Sequence, residues 1–199
     1  MSTAYPVLAD HFVPRRLTRT SDMIRQAGLV FAGAALVGIL AQVAIPLWPV
    51  PVTGQTLGVL LVAGVLGSKR GAAALTTYMV LGLAGLPWFS GMTGSLASVA
   101  TPAFGYIIGF IPAAYFLGRA CERRWDRSLW RSLAACALAS TIPFLIGVPY
   151  LWVVMAGLGT TLSFGQLMAA GVTPFILGGI IKAAIGGVAL PAAWAAIRR

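Results

Sequence analysis

The stretch FILGGIIKAAIGG, Phe175 to Gly187, holds one charged side chain, Lys182, among residues that offer water almost nothing. Between Arg131 and Arg198 no other charged residue occurs. An ammonium in such surroundings is expensive, so it either escapes to an interface or is met by something that binds it. Which of the two holds depends on what the rest of the chain is.

Of 199 residues, 59% are hydrophobic and 9% are charged, and 24 are glycines. A soluble domain carries about 25% charged residues, so a membrane protein is expected. At about 20 apolar residues per crossing, the length accommodates roughly six helices and little else. The apolar runs fall at 23–45, 54–68, 71–86, 102–119, from 129 onward, and 168–197. Pro143 and Pro149 interrupt the fifth run and predict a kink or break there. Continuous rather than alternating hydrophobicity predicts helices and excludes a transmembrane barrel. The expected fold is all-α, a polytopic membrane protein of six transmembrane helices spanning residues 23–199. Residues 1–22, which include the single histidine His11, lack the pattern of a cleavable signal and read as a short cytoplasmic tail.

The basic residues orient this bundle. Arg15, Arg16, Arg19 and Arg25 precede the first run, and Lys69 and Arg70 separate the second from the third. Arg119, Arg123, Arg124, Arg127 and Arg131 surround the link between the fourth and fifth, and Arg198 and Arg199 end the sequence. With six crossings all of these share one side, and the three remaining links are uncharged, so both termini are expected in the cytoplasm. The tryptophans fit interfacial belts, with Trp48, Trp88 and Trp152 at the outer ends and Trp125, Trp130 and Trp194 at the inner ends. The net charge of +10 then reflects topology and anionic lipid, with no nucleic-acid partner.

Lys182 precedes Arg198 by sixteen residues, about 24 Å along a helix in a hydrocarbon layer about 30 Å thick. That puts it in the outer half, where it either snorkels to the headgroups or faces a substrate path. Asp10, Asp22, Glu122 and Asp126 all belong to cytoplasmic segments, so an anionic ligand entering from outside would suit it. The uncharged outer links, PLWPVPVTGQT (46–56), LGLAGLPWFSGMTGSLASVATPAFGY (81–106) and GVPYLWVVMAGLGTTLSFGQ (147–166), are rich in Pro, Gly, hydroxyls and aromatics. Irregular backbone at membrane depth survives where it is buried in protein or lines a cavity, and a Pro-interrupted short helix points to a transporter site. The expected pocket has Thr53, Gln55, Thr56 and Tyr106 as polar groups and Trp88, Phe89 and Trp152 as walls. Such a pocket suits a small, mostly apolar anion with neutral hydrogen-bonding groups.

Other chemistry is missing from the sequence. GVLGSKRG (64–71) is not a Walker phosphate loop, and no metal or acid–base cluster stands in the apolar runs, which argues against an enzyme, a metal or a cofactor. Cys121 and Cys136 read as small buried hydrophobes. GYIIG (105–109) and the pairs Gly28/Ala32 and Ala34/Gly38 match small-xxx-small spacing, which more often marks plain close packing than a dedicated docking face.

PLWPVPVTGQTLGVLLVAGVLG (46–67), GLAGLPWFSGMTG (82–94), PAFGYIIGF (102–110) and PFILGGIIKA (174–183) occur in this order. The series resembles the BioY family, the biotin-specific S components of energy-coupling factor (ECF) transporters. The resemblance implies a six-helix bundle in the bacterial cytoplasmic membrane with a biotin pocket near its outer surface. The matching pocket positions are Gln55 and its neighbours, the Gly-rich loop after the third helix with Thr93, Tyr106 and Lys182. It also implies an ECF module, one transmembrane T component and two ATPase subunits, with Gly28, Ala32, Ala34 and Gly38 on the first helix as the docking surface. It leaves homo-oligomerisation open, and uptake of another small anionic solute by a related bundle is the alternative. The family often has an acid three residues before the lysine, where this sequence has Gly179, and its PTGGY-like turn is PAFGY here.

Overall fold

The computed structural model describes residues 5–12 and 18–197; Arg15, Arg16, Arg198 and Arg199 lie outside the described residues. It is mostly helical: α1 (Leu8–Phe12), α2 (Arg19–Ala41), α3 (Gln55–Leu66), α4 (Ser68–Leu83), α5 (Phe104–Cys121), α6 (Leu129–Gly157), α7 (Phe164–Gly171) and α8 (Thr173–Ile197). Between α2 and α3 a small antiparallel hairpin pairs β1 (Ala44–Ile45) with β2 (Val52–Thr53). The stretches 19–41, 104–121, 129–157 and 164–197 are long and apolar enough to cross a membrane. Large apolar side chains are exposed along them, including Phe31, Ile39, Leu145, Ile180 and Ile181. Water would not tolerate this coat, whereas lipid requires it.

The six apolar runs are all helical, but the last is divided. Ser163 caps α7 through a reciprocal box with Gln166, and the chain breaks at Val172 before α8 begins. The fifth run departs from expectation in the other direction. α6 continues through both Pro143 and Pro149, because prolines are tolerated in a membrane helix whose neighbours hold its shape. α5 supplies that support. A Cβ on Gly109 would come within 2.6 Å of the Pro143 Cα, and one on Gly105 within 2.3 Å of the Tyr150 Cβ. The GYIIG spacing is therefore the seam on which α5 and α6 meet.

One end of the bundle carries the basic residues and is held by the four acids. Arg70 places both its terminal nitrogens on the Asp10 carboxylate, at 3.0 and 3.1 Å, and Arg25 adds a third contact at 3.0 Å. Glu122 accepts from the Ser68 backbone N–H at 2.8 Å and hydroxyl at 2.7 Å, which caps the start of α4 with a negative charge. Burial alone would raise the Glu122 carboxyl pKa; the Ser68 bonds and Arg119 outweigh it and hold the value below normal. Asp126, by contrast, is pushed up by burial.

Residues 5–12 are not a free tail. Val7, Leu8 and Ala9 are fully buried, the Tyr5 N–H donates to the Glu122 carbonyl, and His11 meets Trp194 edge-on. This segment is a strap across the basic end. Trp194 and Trp88, expected as interfacial anchors, are core residues instead. The Trp194 ring N–H donates to Asp126 and the Trp88 ring N–H to the Tyr78 carbonyl at 2.8 Å. Each buried indole has found the acceptor it needs.

Candidate functional site

Away from the basic end lies a cavity of about 800 Å³, within the range of about 300–1,000 Å³ usual for small-molecule pockets. The hairpin loop 46–51 and the loop 89–103 wall it, together with the first turns of α5, the middle of α6 and the first half of α8. On α8, Phe175, Gly179 and Lys182 line it. Their steps of four and three put them on one helix face. Ile176, Ile180 and Ile181, on the other side, are exposed to the surroundings of the bundle. Lys182 therefore faces inward and does not snorkel.

The ammonium is held by a backbone group. Lys182 Nζ donates to the Thr53 carbonyl at 2.5 Å, which ties α8 to β2. The salt bridges among the described residues join Arg25, Arg70 and Arg119 to Asp10, Asp22 and Glu122, so none reaches Lys182. An ammonium has three donors, and one is satisfied by Thr53. Gly179 has nothing within 4 Å of where a Cβ would stand, so the cavity keeps its width one turn from the charge.

Around the ammonium the walls are aromatic. Tyr106 stacks on Phe175 with ring centroids 5.8 Å apart and meets Phe144 edge-on at 5.8 Å. Its hydroxyl donates to the Gly171 carbonyl at 2.8 Å, which pins α5 to the end of α7. Phe89 is set by a tight turn: Gly91 (φ +74°) and Met92 (φ +57°) adopt left-handed backbone, letting the Phe89 N–H reach the Thr93 carbonyl at 2.9 Å. Gln42, at the end of α2, fastens this turn by donating to the Trp88 and Phe89 carbonyls and accepting from the Met92 N–H.

Of the residues expected at the site, Thr53, Gln55, Thr56, Phe89, Thr93, Tyr106 and Lys182 line the cavity. Trp88 and Trp152 do not. Trp88 stands behind Phe89, against Tyr78. Trp152 is half exposed, because an unbroken α6 turns Val148, Leu151 and Met155 to the core and carries Trp152 outward with Val153. Gln55 lines the cavity but is committed to the protein, accepting from the Thr53 hydroxyl at 2.7 Å and donating to the Tyr78 hydroxyl at 2.6 Å.

The expected docking residues divide. Ala34 and Gly38 are buried in this chain's own core, and a Cβ on Gly38 would stand 3.0 Å from the Trp88 Cβ. Neither presents surface to a partner in this structure. Gly28 and Ala32 are exposed. Sequence reasoning missed Gln42, Ser140, Phe144 and Phe175, which also line the cavity. Ser140 and Phe144 are four residues apart, and Phe175 precedes Lys182 by seven. That helical spacing is the signal that marks them.

An apolar helical bundle enclosing a ligand-sized cavity with one inward ammonium defines a multi-pass membrane protein built around a small-molecule pocket. The sequence pattern of the BioY family matches residues 13–199, and the chain belongs to that family. It is 35% identical over 176 residues to the biotin transporter BioY of Rhizobium etli, covering 85% of this chain and 90% of that one. It is 37% identical over 173 residues to the biotin transporter BioY of Rhodobacter capsulatus, covering 83% and 91%. Among solved structures, the S-component for biotin from an ECF-type ABC transporter superposes with a TM-score of 0.64 at 23% identity, covering 89% of this chain and 94% of that one. That likeness is one of fold.

Proposed function

We propose that this protein captures biotin and serves as the substrate-specific S component of an ECF-type transporter, with Lys182 meeting the ligand carboxylate. The observation that carries this reading is an inward ammonium, with no salt bridge among the described residues, in an aromatic cavity. Biotin offers the complement: a carboxylate, an apolar tail and thioether ring, and a neutral ureido group for the hydroxyls of Thr56 and Thr93. The names of the relatives, biotin transporters along most of their length, support the same ligand. The chemistry asked of the chain is binding and release, not bond-making.

In this reading the chain crosses the membrane six times, with α3 and α4 as short helices inside the bundle. The basic end, with Arg25, Lys69, Arg70, Arg119 and Arg123, faces the cytoplasm by the positive-inside rule, and the cavity faces outward. An ECF module of one T component and two ATPase subunits would supply energy, since the sequence carries no Walker loop. The exposed Gly28/Ala32 face of α2 is the part of the first helix left for docking it.

Lys182→Met tests the ligand assignment, because it keeps the stem and removes the charge. A charge-assisted hydrogen bond contributes roughly 1.5–3 kcal/mol, so biotin affinity should fall about ten- to a hundredfold. Biotin amide should bind the wild type weakly and lose little more in the variant. Equal biotin affinity in the two proteins would refute the contact, and tighter binding of another labelled vitamin would reassign the ligand.

A further inference from the structure

Lys182 owes its position to a carbonyl, and that carbonyl belongs to a two-residue strand which by itself would hold nothing in place. A continuous set of buried and half-buried hydrogen bonds fixes it. The Trp88 carbonyl accepts from the Tyr78 hydroxyl at 3.3 Å and from Gln42 at 3.1 Å. Tyr78 accepts from the Gln55 amide at 2.6 Å, the Thr53 hydroxyl donates to the Gln55 amide oxygen at 2.7 Å, and the Thr53 carbonyl receives Lys182 at 2.5 Å. Tyr78 is fully buried in α4 and does not line the cavity.

Direction along this chain is fixed by chemistry. A carbonyl can only accept, so Tyr78 spends its proton on Trp88 and must accept from Gln55. The Gln55 amide then turns its oxygen toward Thr53, whose own oxygen already accepts from the Gln55 backbone N–H at 3.3 Å. Each bond sets the polarity of the next, and such networks act as units.

We propose that Tyr78 is a positioning residue for ligand binding: through Gln55 and Thr53 it fixes the carbonyl that aims the Lys182 ammonium, without itself touching the ligand. The proposal rests on Lys182 meeting the ligand's carboxylate. A phenylalanine at 78 fills the same space but leaves the Gln55 amide without its acceptor. Gln55 and the strand would then be free to turn, and the ammonium would lose its aim before any ligand arrives.

The test measures biotin and biotin amide binding to the purified full chain in detergent, for wild type, Tyr78→Phe, Lys182→Met and the double variant. Tyr78→Phe should weaken biotin about two- to tenfold, leave biotin amide nearly unchanged, and add little once Lys182 is methionine. Thr53→Val, which breaks the same chain one step nearer the lysine, should repeat the selective loss even if Tyr78→Phe folds poorly. Equal weakening of both ligands, full additivity with Lys182→Met, or undiminished biotin binding would each overturn the proposal. A ligand-free readout separates it from the biotin reading. Lys69 and Lys182 are the chain's two lysines, so ¹⁵N-lysine labelling gives two side-chain signals, with exposed Lys69 as the reference. If wild type ignores biotin yet Tyr78→Phe shifts the Lys182 signal, the ligand assignment falls and the positioning role stands. An unmoved Lys182 signal overturns the positioning role.

Discussion

A leucine at position 38 would have to displace the Trp88 side chain, whose atoms stand 3.0 to 3.3 Å from where its Cβ would be. Trp88 in turn supplies the carbonyl on which Tyr78 and Gln42 converge. Gly38→Leu should therefore lower thermal stability, by about 1–3 kcal/mol for an overpacked core, and weaken biotin binding and uptake together. Gly28→Leu meets nothing within 4 Å and should leave stability and binding intact. If that face receives the ECF module, it should reduce uptake alone. Melting temperature, detergent binding and cellular uptake, compared for the two variants, decide the matter; uptake lost alone in Gly38→Leu would contradict the burial. The isolation of Lys182 was legible in the sequence because charge is so rare there. The commitment of Gln55 was not, because its partner Tyr78 lies 23 residues away on another helix and reads locally as one more aromatic in an apolar run.

The helical content was legible at the scale of elements because continuous hydrophobicity leaves few alternatives in lipid. The strap was not. Five residues have no helical stability of their own, and α1 stays in place through contacts with Arg25, Arg70 and Trp194, all distant in sequence. At Asp10, burial works to raise the carboxyl pKa, but the hydrogen bond and charge of Arg70 and the bond from Arg25 prevail and lower it. A carboxyl lowered in the folded state contributes stability that is complete above its ordinary value of 3.8 and is lost as pH falls through the lower folded value. The strap should stay closed at neutral and mildly acidic pH and open in stronger acid. Asp10→Asn should open it at pH 7, speeding hydrogen exchange of residues 7–10 roughly tenfold with biotin affinity unchanged. Exchange as slow as in wild type would mean that burial of Val7 and Leu8 suffices. The division at Val172 and the unbroken α6 had no local signal either, since proline stops a helix in water but not one braced by Gly105 and Gly109 on its neighbour.

For the whole molecule, orientation is the property on which capture depends. In a variant lacking Cys121 and Cys136, Ser95→Cys on the cavity-side loop should react with an impermeant maleimide in intact cells, and Arg123→Cys should react only after lysis. The reverse pattern would turn the protein over and put the cavity on the wrong side for scavenging. Beneath the cavity Leu60, Leu117 and Leu190 are buried to within 2% of complete, and the strap lies across the basic end beyond them. These side chains, with the strap beyond them, form a packed apolar floor between the cavity and the basic end. In the reading proposed above, such a packed base would keep protons and sodium from passing while the cavity waits for cargo. A cell could then crowd its membrane with such receptors when the vitamin is scarce and leave its electrical potential intact.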